Sequence, residues 1–175
     1  LSQFYGTVPD PAWKLKKYKK EWSQADTLNA AIGQGYVLVS PFQLALSAAR
    51  LASGRELKPR LLLERHGPDP LLPFPEEHLA IVRGSMDEVV NGRGTAGASR
   101  LQVPGIRMGG KTGTAQVRRI MDRLRGQGGE WKYRDHGLFI CFAPVDNPRY
   151  AASVVIEHGM GGARAAAPVA KDVLT

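Results

Sequence analysis

The alternation of apolar and polar positions divides the chain into helical and extended stretches. A helix fits Phe42 to Ser53, with Ser40 placed as N-cap, Pro41 in the first turn and Gly54 as the stop. A second runs from about Glu76 to Val90 and ends near Gly92; its apolar stripe, Leu79, Val82, Met86, Val89 and Val90, has the 3.6-residue period. A last helix is predicted from about Ala163 to Leu174, its alanines turned to a sheet and Pro168 imposing a kink or a late start. Extended segments are predicted at Met108–Arg118, at His136–Ala143 as a buried strand, and at Tyr150–Glu157, where Val154, Val155 and Ile156 are all β-branched. Asp146-Asn147-Pro148 makes the turn between the last two, and Arg123 to Arg134 is a polar connection. Leu57 to Arg65 is strand-like, and Gly67-Pro68-Asp69-Pro70, with Pro73 and Pro75, is a linker that neither a helix nor a central strand crosses.

Three successive strands with connections too short for crossover helices predict an antiparallel sheet with helices on its faces, an α+β fold. There is no internal repeat. The chain reads as an irregular basic segment over residues 1–36, a mainly helical part over 37–100, and sheet strands with the C-terminal helix over 101–175. Gly33-Gln34-Gly35 and Gly159 to Gly162 suit tight turns.

Composition, 43% hydrophobic and 23% charged, argues against disorder, and no apolar run approaches the roughly 20 residues that span a bilayer. No export signal is readable, so any membrane anchor is expected upstream of Leu1. The balance of 24 Lys and Arg against 16 Asp and Glu gives a net charge of +8, much of it local. Between Trp13 and Trp22 the cations interleave with aromatic residues, a composition able to bind single-stranded nucleic acid by charge and stacking. A solvated segment whose aromatic residues pack back on the body is favoured, and an anionic surface is an equal use of the charge. The single cysteine, Cys141, lies in an apolar run and is expected as a buried, inert thiol. His66, His78, His136 and His158 lack metal-ligand spacing, so neither a metal nor a cofactor is expected.

The chemistry concentrates in Met108-Gly109-Gly110-Lys111-Thr112-Gly113-Thr114-Ala115-Gln116-Val117, which admits two readings. As a loop, Gly105, Gly110, Lys111 and Thr112 satisfy the Walker A pattern of a small phosphate-binding NTPase. That pattern needs a buried strand before it and a helix after it. Pro104 ends the upstream run, while Gly113, Thr114 and Val117 favour a pleated continuation. As a strand, Lys111-Thr112-Gly113 offers a cation, a hydroxyl and a glycine that leaves room for a ligand lying along it.

The strand reading resembles the third signature of serine penicillin-recognising enzymes. Further blocks carry the likeness: Gly6-Thr7-Val8-Pro9 with Trp13-Lys14, Asp26-Thr27 with Ile32-Gly33-Gln34-Gly35-Tyr36, Ser40-Pro41-Phe42-Gln43, Gly94-Thr95-Ala96, Phe142-Ala143-Pro144, and Gly159-Met160-Gly161-Gly162 before Ala166-Ala167-Pro168-Val169-Ala170. In this order, across nearly all 175 residues, they are similar to the C-terminal part of the transpeptidase domain in the penicillin-binding protein 2 family, the class B enzymes of bacterial cell elongation. That family's nucleophile lies in Ser-x-x-Lys, and no serine here has a lysine three residues on. Ser85-Met86-Asp87 spells the form of a second signature but falls on a predicted helix surface. The resemblance therefore implies a truncated or cleaved piece whose first two signatures lie upstream, inactive alone, in a sheet that also uses strands from outside this stretch.

What the resemblance implies is acyl transfer on peptidoglycan stem peptides ending in D-Ala-D-Ala, with penicillins and other β-lactams as mimics. It assigns Lys111 as a catalytic and carboxylate-facing cation, Thr112, Gly113 and Thr114 as substrate- and β-lactam-binding residues, and the Thr114 backbone N–H as an oxyanion-hole donor. One such donor is typically worth about 3 kcal/mol of barrier. It implies as partners the upstream part of the same protein and the cell-elongation machinery, with no nucleic acid, at the periplasmic face of the bacterial inner membrane.

Overall fold

The computed structural model describes residues 6–62, 67–117 and 130–175. They form two units, Leu1–Gln43 and Leu44–Thr175.

In the first unit, residues that the sequence predicts as irregular form two short helices, α1 (Pro11–Tyr18) and α2 (Gln24–Ala31). Their ends explain them better than their apolar content. Asp10 caps α1 by accepting from the Trp13 N–H at 2.7 Å, Pro11 occupies the first turn, where its missing donor costs nothing, and Lys19 closes the helix in the left-handed region at φ 55°. Helix α2 opens on a reciprocal capping box between Ser23 and Asp26. The two helices are tied by an ion pair of low exposure, Lys14 Nζ to Asp26 Oδ2 at 2.6 Å. Trp13, Tyr18 and Tyr36 gather beside it, with the two tyrosine rings stacked at 5.1 Å. An antiparallel bridge joins Thr7 to Leu38.

Helix α3 (Pro41–Ser53) follows the expected signals: Ser40 Oγ accepts from the Gln43 N–H at 3.2 Å and Gln43 Oε1 accepts from the Ser40 N–H at 2.9 Å. It stops at Gly54, whose φ of +67° suits glycine. The strand predicted from Leu57 is not formed over the described residues 57–62; the local pairing is an isolated bridge between Arg55 and Leu71. Pro59 removes a ladder donor, and the ion pair of Arg60 with Asp69 and the donation of Arg50 to the Leu57 carbonyl fix a loop instead. Residues 63–65 of that prediction lie outside the described residues.

Helix α4 (Glu76–Asn91) buries Leu79, Met86 and Val90 as its stripe predicts, whereas Val82 is 39% exposed. The sheet is antiparallel in the order β1-β2-β3: β1 (Gly109–Ala115), β2 (His136–Ala143) and β3 (Tyr150–Ile156). Lys111 stands opposite Ile140 and Thr112 opposite Phe139; Phe139 in turn faces Val154. Strand β1 ends at Ala115, short of the predicted Arg118, which falls outside the described residues, as do residues 123–129 of the polar connection. The final helix is two pieces, α5 (Gly162–Ala165) and α6 (Ala167–Leu174), with Pro168 in the first turn of α6, where a proline is tolerated.

Successive β2 residues point to opposite faces. Phe139 and Cys141 are buried with Ala166, Ala167 and Ala170, and Phe142 is buried with Ala52 and Met86. Helices thus cover both faces of the second unit's sheet, and β1 is left as one of its two edges.

Candidate active site

Strand β1 is held by its ends and left open along its middle. At its start, Asn91 at the close of α4 donates from Nδ2 to the Met108 carbonyl at 2.9 Å, and Met108 is fully buried. The Arg107 guanidinium pairs with Asp87 of α4 and, at 2.9 Å, with Asp146 in the β2–β3 turn. Gly110 lies under the Phe139 ring: a Cβ there would stand 2.3 Å from Phe139 Cζ and 2.9 Å from the Ile140 carbonyl oxygen. Only a glycine lets the strand approach so closely. At the far end, the Val117 N–H donates to Asp135 Oδ1 at 3.2 Å, and the His158 N–H donates to His136 Nδ1 at 2.9 Å.

Between these anchors lie the predicted site residues. Lys111 is exposed; its Nζ donates to the Thr112 carbonyl at 2.6 Å, and among the described residues it forms no ion pair. Thr112 is half-buried and Thr114 exposed, and the alternation of a strand sends both to the face opposite Lys111. Gly113 sits opposite Leu138. The strand thus carries, within a run of four residues at a sheet edge, a cation on one face, without an ion-pair partner among the described residues, and two hydroxyls on the other, groups that each suit an anion.

One residue that sequence reasoning passes over joins them. Thr95, in the turn after α4, has its hydroxyl 2.9 Å from that of Thr112. The block Gly94-Thr95-Ala96 is visible in the sequence, but no local spacing connects it to β1.

The other motifs take the following places. The Walker A reading fails, because Lys111 and Thr112 lie inside a strand that continues to Ala115 rather than in a loop at the start of a helix. Ser85 donates to the Ile81 carbonyl within α4 and Asp87 is engaged by Arg107, so Ser85-Met86-Asp87 is helix surface. Cys141 is fully buried, and burial pushes its thiol up to about 11, which keeps it protonated and unreactive at neutral pH. Among the described residues no group of three or more His, Cys, Asp or Glu side chains is placed to hold a metal. The rings of Trp13, Tyr18 and Tyr36 are engaged with one another, although Tyr18 stays 42% exposed. No helix of the described residues is long and apolar enough to cross a membrane.

Comparison with known proteins identifies a family. The family described as penicillin binding protein transpeptidase domain matches residues 6–175. The peptidoglycan D,D-transpeptidase MrdA of Haemophilus influenzae is 33% identical over 95% of this chain and 28% of its own length. The protein of the same name from Acinetobacter baumannii is 34% identical over 94% of this chain and 26% of its own. The chain thus spans less than a third of the length of these relatives. Among solved structures, PBP2 of Helicobacter pylori in complex with MreC is 34% identical with a TM-score of 0.76, covering 98% of this chain and 31% of that one. PBP2 of Pseudomonas aeruginosa in complex with WCK 5153 is 36% identical with a TM-score of 0.75, covering 97% of this chain and 36% of that one.

Proposed function

The chain belongs to the penicillin-binding protein transpeptidase family, and we propose from this that it forms the C-terminal, β1-bearing wall of a peptidoglycan D,D-transpeptidase. The observation that carries the reading is the edge strand with Lys111 exposed and without an ion-pair partner among the described residues, in a chain matched to that family over residues 6–175.

In this reading a serine Oγ attacks the carbonyl of the penultimate D-Ala of a stem peptide. The peptide bond breaks, the terminal D-Ala leaves with a proton on its amine, and an amine of a neighbouring stem then displaces the serine from the ester. No serine of this chain precedes a lysine by three positions, so the nucleophile comes from polypeptide outside residues 1–175. Lys111 supplies positive charge to the substrate carboxylate, the hydroxyls of Thr112 and Thr114 bind that carboxylate, and Gly113 leaves the strand clear for the peptide to lie along it. The Thr114 backbone N–H joins the nucleophile's own N–H to stabilise the oxyanion, an interaction made only as the tetrahedral intermediate forms. β-Lactams are accepted as mimics of D-Ala-D-Ala.

By analogy with the relatives, the protein works at the outer face of the cytoplasmic membrane, anchored by a segment other than these helices. The Helicobacter pylori PBP2 complex with MreC supports a place in an elongation assembly.

Fluorescent penicillin labelling of the intact protein, followed by peptide mapping, tests the reading. Label on a serine outside residues 1–175 is the expected result. Label on a serine within them would overturn the assignment of the nucleophile, and an intact protein that never labels would overturn the transpeptidase reading.

A further inference from the structure

We infer that Thr95 is a positioning residue for ligand binding: its hydroxyl donates to Thr112 and so commits the single Thr112 hydrogen to the carboxylate of the substrate or β-lactam. The inference rests on the transpeptidase reading and adds a residue to it.

The two hydroxyl oxygens are 2.9 Å apart, and either can be the donor. A threonine hydroxyl carries one hydrogen and two lone pairs. If Thr112 donated to Thr95, an incoming carboxylate would meet only lone pairs at Thr112 and be repelled. If Thr95 donates, the Thr112 hydrogen is directed outward and its oxygen is made a better donor by the bond it accepts. An anion therefore selects the second arrangement, and Thr95 sets the direction of the chain.

The placement of Thr95 is also fixed rather than adaptable. The turn that carries it is tied to the end of α4 by the Gly94 N–H donating to the Glu88 carbonyl at 3.2 Å and the Ala96 N–H donating to the Val89 carbonyl at 3.0 Å. Ala96, next in sequence, is 1% exposed and belongs to the main core cluster. On the strand side, Lys111 Nζ holds the Thr112 carbonyl at 2.6 Å. Thr112 is thus contacted by Thr95 at its hydroxyl and by Lys111 at its backbone, and only the first of these orients the hydroxyl hydrogen.

The test is the acylation kinetics of the intact protein with benzylpenicillin and with its methyl ester, in wild type, Thr95→Val and Thr95→Ser. Valine keeps the branched shape and removes the donor; serine keeps the donor. For the free acid, Thr95→Val should weaken the initial binding constant by up to about tenfold, the scale of one neutral hydrogen bond lost behind the Thr112 donor, with the acylation step little changed. Thr95→Ser should restore it, and the methyl ester should show no such difference between the variants. Equal binding of the free acid by wild type and Thr95→Val overturns the role, as does a loss that is the same for acid and ester, which would mark Thr95 as merely structural. A wild-type protein that is not acylated at all overturns the transpeptidase reading beneath it.

Discussion

Gly162, at the start of α5, lies directly against Gly113 of β1: a Cβ on Gly162 would fall 2.7 Å from the Gly113 carbonyl oxygen and 2.0 Å from that of Leu138. Both obstacles are backbone atoms of adjacent strands, so no side chain can move aside to relieve them. Gly162→Ala is therefore expected to push α5 off the sheet and displace the Lys111-Thr112-Gly113 segment. Overpacking of this kind typically costs about 1–3 kcal/mol. Thermal unfolding should show the loss of stability, and penicillin labelling of the intact protein should fall with it; a variant with wild-type melting and labelling would show that the loop relaxes freely.

Lys111 makes the opposite prediction, a functional loss with little structural cost. It is exposed, and its Nζ donates to the neighbouring Thr112 carbonyl. Removing such a surface side chain usually changes stability by within about 0.5 kcal/mol. Lys111→Ala in the intact protein should nonetheless slow penicillin acylation by roughly 10- to 100-fold, the range expected for a hydrogen bond to a charged group. Unchanged acylation in a stable Lys111→Ala protein would remove the residue from the site.

The elements most legible in the sequence are those whose signals are local. Helices α3 and α4 and strand β2 follow from end-capping residues, a 3.6-residue stripe and a continuous apolar run buried on both faces. Helices α1 and α2 were hidden because their support is not an apolar stripe: α2 buries no residue and α1 buries only Lys14. A signal did exist in Ser23-Gln24-Ala25-Asp26, the spacing of a capping box. Strand β1, rich in glycine and threonine, has almost no hydrophobic alternation and was readable through its motif. The Thr95 to Thr112 contact joins segments distant in sequence, so no spacing rule finds it.

Cys141 should behave as a core side chain. Its thiol is fully buried, and burial raises it to about 11, so almost no thiolate exists near neutrality. Iodoacetamide at pH 8 is expected to leave the native protein unmodified and to label it fully in denaturant, with mass spectrometry as the readout. Rapid native labelling would mean that the cluster of Phe139, Cys141 and Ala167 opens readily. Cys141→Ser buries a hydroxyl where the thiol faces the Ala152 carbonyl at 3.9 Å, and should destabilise the fold by about 1–3 kcal/mol without touching the Lys111 edge.

Strong acid should weaken the link between α1 and α2. The Lys14 ammonium beside Asp26, and then the hydroxyl and N–H of Ser23, hold the Asp26 carboxyl down from 3.8 to about 2. A carboxyl whose folded value lies below its unfolded one contributes stability that is present above the unfolded value and lost as pH falls through the folded value. The contribution of Asp26 is therefore intact above about pH 4 and disappears between there and about pH 2. Asp26→Asn should lower the stability of the Lys14-linked helices at neutral pH and flatten their response across that window. Helicity and Trp13 and Trp22 fluorescence, followed in denaturant at pH 7 and at pH 2.5, make the comparison. Wild type and Asp26→Asn that lose stability in parallel on acidification would place the acid-sensitive group elsewhere.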